Sequence, residues 1–139
     1  MCFKQHIVDM LLHTTKNSYL KAVNNLLRDN PKFIYISSYG LRVDSPIMKY
    51  LMHESKCKDI RLVIGVRNRN HSLFLTSFFK KQKKIKIRVK NKYHTKFVLT
   101  DKGVIAGGRN FVDSDWKDLT FLMRNKNTLR QFKEYFLKQ

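Results

Sequence analysis

Two runs of aliphatic, β-branched and aromatic residues, KFIYISSYGL (32–41) and DIRLVIGV (59–66), constrain the fold more than any other feature of the chain. Both have strand length and strand composition, and the first ends on Gly40. Each is followed by a segment with apolar residues at helical spacing. DSPIMKYLMHES (44–55) opens on an aspartate and a nearby proline, a helix start, and HSLFLTSFFKKQ (71–82) is a second helix. An earlier helix, SYLKAVNNLLRDNP (18–31), stops at Asn30-Pro31. KIKIRVK (84–90) alternates cleanly and reads as a strand with one charged face. TKFVLT and GVIAGG flank Asp101-Lys102-Gly103, a hairpin-like turn. LTFLM (119–123) is one more strand, and TLRQFKEYFLK (128–138) closes as an amphipathic helix. Strands alternating with helices, then strands in direct succession, predict an α/β domain. The expected architecture is a mixed sheet of about five to seven strands, antiparallel in its last third, with helices on both faces. No linker or repeat interrupts it, so residues 1–139 are expected to form a single domain.

Charge narrows the partner. Lys plus Arg number 29 against 10 Asp plus Glu, a formal net charge of +19. That surplus favours a polyanion, nucleic acid first and an anionic membrane surface second. The densest stretch, KKQKKIKIRVKNK (80–92), includes Lys90 and Lys92 and runs straight towards His94. VRNRN (66–70) adds two arginines in an expected loop. Cys2 and Cys57 make neither a disulfide framework nor a metal cluster, which fits a reducing compartment. No leader and no membrane-length apolar run is evident, so a cytoplasmic protein without stable membrane association is expected. Asp113 and Asp115 read as solvated turn residues, and Trp116 as packing. No metal or cofactor is expected.

Chemistry concentrates in YHTKFVLTDKGVIAGGRNF (93–111). Side chains two apart on a strand share a face, so His94, Lys96 and Val98 are expected to point one way. Two rises of about 3.3 Å separate His94 from Lys96, a gap that a phosphate could bridge. Histidine can act as a nucleophile or proton donor, and lysine supplies a fixed positive charge for phosphate oxygens. Gly107-Gly108 clears side chains where a backbone or ligand approaches, and Asn110 offers an amide to an oxyanion.

The ordered set resembles the phospholipase D superfamily, whose signature is HxK, four residues, D, about six residues, then GG or GS and xN. Here it reads His94-Thr95-Lys96, FVLT, Asp101, KGVIA, Gly107-Gly108-Arg109-Asn110. The second spacing is one residue short. Gly108 stands where some members have Ser, leaving backbone N–H groups to replace a hydroxyl donor. The order of strands and helices is similar to the single-motif, nuclease-type branch.

This resemblance implies a phospholipase D-like fold and metal-independent phosphodiester cleavage through a phosphohistidine. His94 would be nucleophile or acid, Lys96 and Asn110 the phosphate clamp, and Asp118 the carboxylate that orients His94. Asp101 belongs to the motif but is structural in most members. Gly107, Gly108, Arg109, Lys90 and Lys92 would contact substrate. The family's mechanism uses two motifs, and this chain has one: His6, His13, His53 and His71 are followed two residues on by Val8, Thr15, Ser55 and Leu73. A complete site therefore implies a homodimer with two copies of His94 facing across a two-fold axis.

Within that family, size and charge point to an endonuclease on DNA or RNA, with DNA favoured. No appendage for reading bases is visible, so little sequence specificity is expected. The alternatives are a phospholipase acting on anionic lipid and a catalytically silent nucleic-acid binder on the same fold. The composition suits a phage, viral or bacterial source, and hence a host cytoplasm.

Overall fold

The computed structural model describes residues 10–13, 15–108 and 119–139. Within these residues seven strands form one mixed sheet: β1 (Met10–His13), β2 (Ile34–Tyr39), β3 (Ile60–Val66), β4 (Ile85–Asn91), β5 (Phe97–Thr100), β6 (Val104–Gly107) and β7 (Thr120–Met123), in the order β1-β7-β6-β5-β2-β3-β4. The two most apolar runs become its centre. β2 pairs parallel with β3 in the register Ile34↔Ile60, and β3 pairs parallel with β4 in the register Ile60↔Ile85. On the other side β5 runs antiparallel to β2, Ile34↔Thr100, and β6, β7 and β1 continue antiparallel. Both neighbours and both faces of β2 and β3 are covered, which is why these strands are nearly continuous in hydrophobicity.

Among the described residues, four α-helices flank the sheet: α1 (Lys16–Leu27), α2 (Pro46–Lys49, prolonged by a π-helical turn over Tyr50–Glu54), α3 (Arg69–Lys80) and α4 (Lys126–Leu137). Each starts on a side-chain cap. Thr15 accepts from Ser18 N–H, Ser45 from Met48 N–H, Asn68 from His71 N–H, and Asn125 from Asn127 and Thr128 N–H. Such caps satisfy amide groups that a helix start leaves unpaired.

The helices divide unequally between the faces. Ile34 and Ile36 of β2, Leu62 and Ile64 of β3, Val98 and Ile105 pack beneath α1, α2 and α3, against Val23, Leu27, Met48 and Leu75. Strand alternation sends Tyr35, Val63, Phe97, Leu99 and Val104 to the opposite face, where Leu129 and Phe136 of α4 cover them. Ile36, Ile64 and Leu75 have no exposed surface. Each such burial stabilises the fold by about 1.5–3 kcal/mol.

Polar groups tie the edge at which β2 and β3 begin. Tyr35 Oη donates to Asp59 Oδ2 over 2.9 Å, and Arg61 Nε donates to Asp59 Oδ1 over 2.7 Å. Burial works against the Asp59 carboxylate, but the hydrogen bonds from Arg61 and Tyr35 hold its pKa below the usual value. Burial and the same Asp59 contact push the Tyr35 phenol up to about 12. No helix among the described residues is long and apolar enough to cross a membrane.

The mixed sheet with helices on both faces is the architecture expected from the sequence. One strand, β1, was not anticipated. Its short MLLH run carries no turn signal, and only its antiparallel register with β7, Leu11↔Leu122, defines it as a strand.

Candidate active site

The parallel strands β2, β3 and β4 all finish at the same edge of the sheet, at Tyr39, Val66 and Asn91. The antiparallel β5 begins there at Phe97, so the chain crosses from β4 to β5 through residues 92–96 at that edge. In open α/β sheets the carboxyl ends of parallel strands are where ligands bind, at the point where strand connections change direction. Here the parallel β3 and the antiparallel β5 flank β2.

A set of short contacts fixes this crossing. Lys92 takes a left-handed conformation, φ 54°, and turns the chain out of β4. Tyr93 then lies across β3. A Cβ at Gly65 would collide with the Tyr93 carbonyl, so the crossing needs glycine beneath it. The buried Tyr93 hydroxyl meets Ser37 Oγ at 2.7 Å, and burial raises its phenol to about 12, which keeps it neutral. Thr95 Oγ1 meets Tyr135 Oη of α4 at 2.8 Å.

Between these two anchored residues His94 is exposed. Its ring stacks on Tyr39, with centroids 4.2 Å apart and planes 20° from parallel. Lys96 is half-buried, and its carbonyl accepts from Gly107 N–H at a long 3.5 Å. The shared strand face expected for His94, Lys96 and Val98 needs correction, because β5 begins only at Phe97. His94 and Lys96 stand in irregular backbone ahead of it. The turn out of β4 and the stack on Tyr39 set the direction of His94, rather than strand alternation.

Of the other motif residues, the structure separates Asp101 from this group. It sits in the β5–β6 turn at the far end of β5, about 13 Å along the strand from Phe97. There its Oδ1 accepts from Lys32 N–H at 2.7 Å. Gly107 closes β6, and a Cβ there would collide with the Leu119 carbonyl. It is the backbone entering β7 that requires this glycine. Gly108 is exposed just beyond. Lys90 lies 5.5 Å above the Tyr93 ring and donates to Gln139 Oε1 at 3.0 Å, while Lys92 is exposed at the turn. Arg109, Asn110 and Asp118 lie outside the described residues, as do Asp113, Asp115 and Trp116.

The same edge is basic. A hollow of about 410 Å³ beside the crossing is lined by Arg67, Asn68, Arg69, Ser72, Lys90 and Asn91, among others. Among the described residues, no group of three or more His, Cys, Asp or Glu side chains could hold a metal ion. Tyr39, Tyr93, Ser37 and Thr95 escaped the sequence reading as site residues. A signal existed in YISSY, whose alternation puts Tyr35, Ser37 and Tyr39 on one face, but their partners lie far along the chain.

No protein-family model matches the chain, and no curated protein matches it. Solved structures do share its fold. TrmBL2, an archaeal chromatin protein whose structure shows a novel mode of DNA binding, is similar with a TM-score of 0.66 at 13% identity. That likeness covers 94% of this chain and 51% of the other, so this chain spans about half the length of TrmBL2. NucT from Helicobacter pylori is similar with a TM-score of 0.63 at 17% identity, over 93% of both chains. At these identities the likeness is one of fold.

Proposed function

We propose that the chain is a phosphodiesterase acting on nucleic acid, DNA favoured, with little sequence preference and no metal requirement. The observation that carries this reading is the pose of His94. It stands exposed on Tyr39 at the carboxyl edge of the parallel strands, two residues from Lys96, on a chain of net charge +19. The resemblance of residues 93–111 to the phospholipase D superfamily supplies the chemistry.

In this reading His94 of one copy attacks phosphorus, and a P–N bond forms as the P–O bond to the leaving group breaks. His94 of a second copy gives that oxygen its proton, then takes one from the water that hydrolyses the phosphohistidine. Lys96 and Asn110 neutralise charge on the phosphate oxygens, which is electrostatic stabilisation of the transition state. Asp118 orients the imidazole. Asp101, tied to Lys32, serves the β5–β6 turn and not the phosphate. Gly108, Arg109, Lys90 and Lys92 lie along the substrate's backbone. The unit is a homodimer of one-domain chains, residues 1–139, working in a cytoplasm.

A second reading has a specific observation in its favour. The fold is shared with TrmBL2, a chromatin protein, so a silent nucleic-acid binder fits the same scaffold and charge. Substitution at the histidine separates the two. His94→Ala should abolish cleavage and leave DNA affinity within about two-fold, because the basic surface is untouched. Lys96→Ala should lower turnover by roughly 10²–10³, the scale for losing one transition-state donor. Wild-type protein that binds DNA and never cleaves it would establish the binder instead.

A further inference from the structure

Beside the histidine, on the face covered by α4, lies an open hollow of about 340 Å³ lined by Thr95, Phe97, Gln131, Phe132 and Tyr135. Three of its five residues are aromatic. Phe97 meets Phe132 edge-on at 5.0 Å and Tyr135 at 6.2 Å, and Tyr135 remains 40% exposed. The rim carries polar groups, the Thr95–Tyr135 hydroxyl pair and the Gln131 amide. Flat apolar walls with a few hydrogen-bonding groups at the margin match a nucleobase, which has π faces and polar edges.

Its position matches too. Thr95 is the residue after His94, so the lining of the hollow is adjacent in the chain to the proposed reacting centre. A base hangs one sugar away from its phosphate. On the other flank of α4, Lys86 and Arg88 stand exposed on alternate positions of β4, with Lys90 next in the series. Alternate strand positions recur at about 6.8 Å, and Arg61 pairs with Lys86 across the ladder. Arg61, Lys86 and Arg88 rim a groove of about 160 Å³ against Phe136, Leu137 and Gln139. A positive row leads to the histidine from one side of α4, and an uncharged aromatic seat lies beyond it on the other.

Resting on the proposed role of His94, we infer that the substrate is single-stranded or locally unpaired nucleic acid, one base of which stacks in the Phe97–Phe132–Tyr135 hollow while the Lys86–Arg88–Lys90 row carries its backbone. Bases inside a duplex are stacked and paired, and cannot enter a side hollow without being extruded. The adjoining cations and the net charge of +19 favour a polyanion as the occupant of this surface.

The test compares binding of a short oligothymidylate, an abasic oligomer of the same length and a matched duplex. Fluorescence anisotropy is read in EDTA, with His94→Ala as background to prevent cleavage. Tyr135→Ala should weaken oligothymidylate binding by about five- to one-hundred-fold, the range for losing one base stack. It should leave the abasic oligomer unchanged. Tyr135→Phe, which keeps the ring and loses the hydroxyl, should retain most of the affinity that Tyr135→Ala loses. Arg88→Ala should weaken both oligomers equally. Melting curves establish that each variant is folded. Equal losses on the two oligomers, equal losses in Tyr135→Phe and Tyr135→Ala, or tighter binding of duplex than of single strand would each overturn the inference. So would a Tyr135→Ala protein that changes oligomeric state but not affinity, since the hollow would then belong to a second copy. Wild-type protein that cleaves nucleic acid without discriminating among these ligands contradicts only this inference. Wild-type protein with neither binding nor cleavage contradicts the underlying assignment as well.

Discussion

Tyr93 and Tyr39 do different work for the same histidine. Tyr93 is a buried post whose hydroxyl meets Ser37, and Tyr39 is a half-buried plate under the imidazole. The first has a consequence for pH. The phenols of Tyr35 and Tyr93 are both raised to about 12, chiefly by burial, from an ordinary value of 10.0. The folded state thus keeps two phenols protonated that the unfolded chain would ionise near 10. Their contribution to stability is complete below about pH 10 and is lost as pH rises towards 12. An ultraviolet titration of the six tyrosines should show two that ionise late, together with unfolding. A single step near pH 10 in a protein that keeps its circular dichroism would contradict this. Among the candidate residues, His94, Lys96 and the glycine pair were legible in the sequence because their spacing is a pattern, and the same pattern drew in Asp101, which the structure separates from them. Tyr39 and Tyr93 were not legible. Their contacts with His94 and Ser37 join residues more than fifty positions apart, and no local period records them.

At the scale of elements, the strands read well because the central ones are buried on both faces and bounded by turns. Helix starts read less well. α3 begins at Arg69 rather than near His71, since Asn68 caps it and polar residues fill its first turn. His94 and Lys96 read as part of the strand that continues through TKFVLT, whereas β5 starts at Phe97. The geometry of the crossing at 92–96 comes instead from Gly65 on a neighbouring strand, which admits the Tyr93 carbonyl. Gly65→Ala should therefore displace the crossing. The expected cost is about 1–3 kcal/mol, as for other overpacked sites, together with loss of turnover through a misplaced His94. Thermal melting and cleavage rate on the same preparation check both parts. An alanine variant with wild-type stability and rate would show that the crossing does not depend on this glycine.

For the whole molecule, the proposed mechanism uses two histidines and each chain carries one HxK motif, so the proposal requires two copies. Sedimentation at micromolar concentration should give twice the 16.6 kDa chain mass. A monomer with undiminished turnover on dilution would remove the second histidine from the account. Association with nucleic acid should weaken steeply with salt, as neutralised phosphates release counterions. The most direct measurement offers plasmid DNA, single-stranded DNA, RNA and anionic lipid vesicles to the protein in excess EDTA. Nucleases that use a metal to stabilise the attacking and leaving oxygens stop under these conditions. Cleavage of nucleic acid should persist in EDTA and disappear in His94→Ala. Activity that vanishes in EDTA and returns with magnesium, or release of lipid headgroups with nucleic acid left intact, would contradict this.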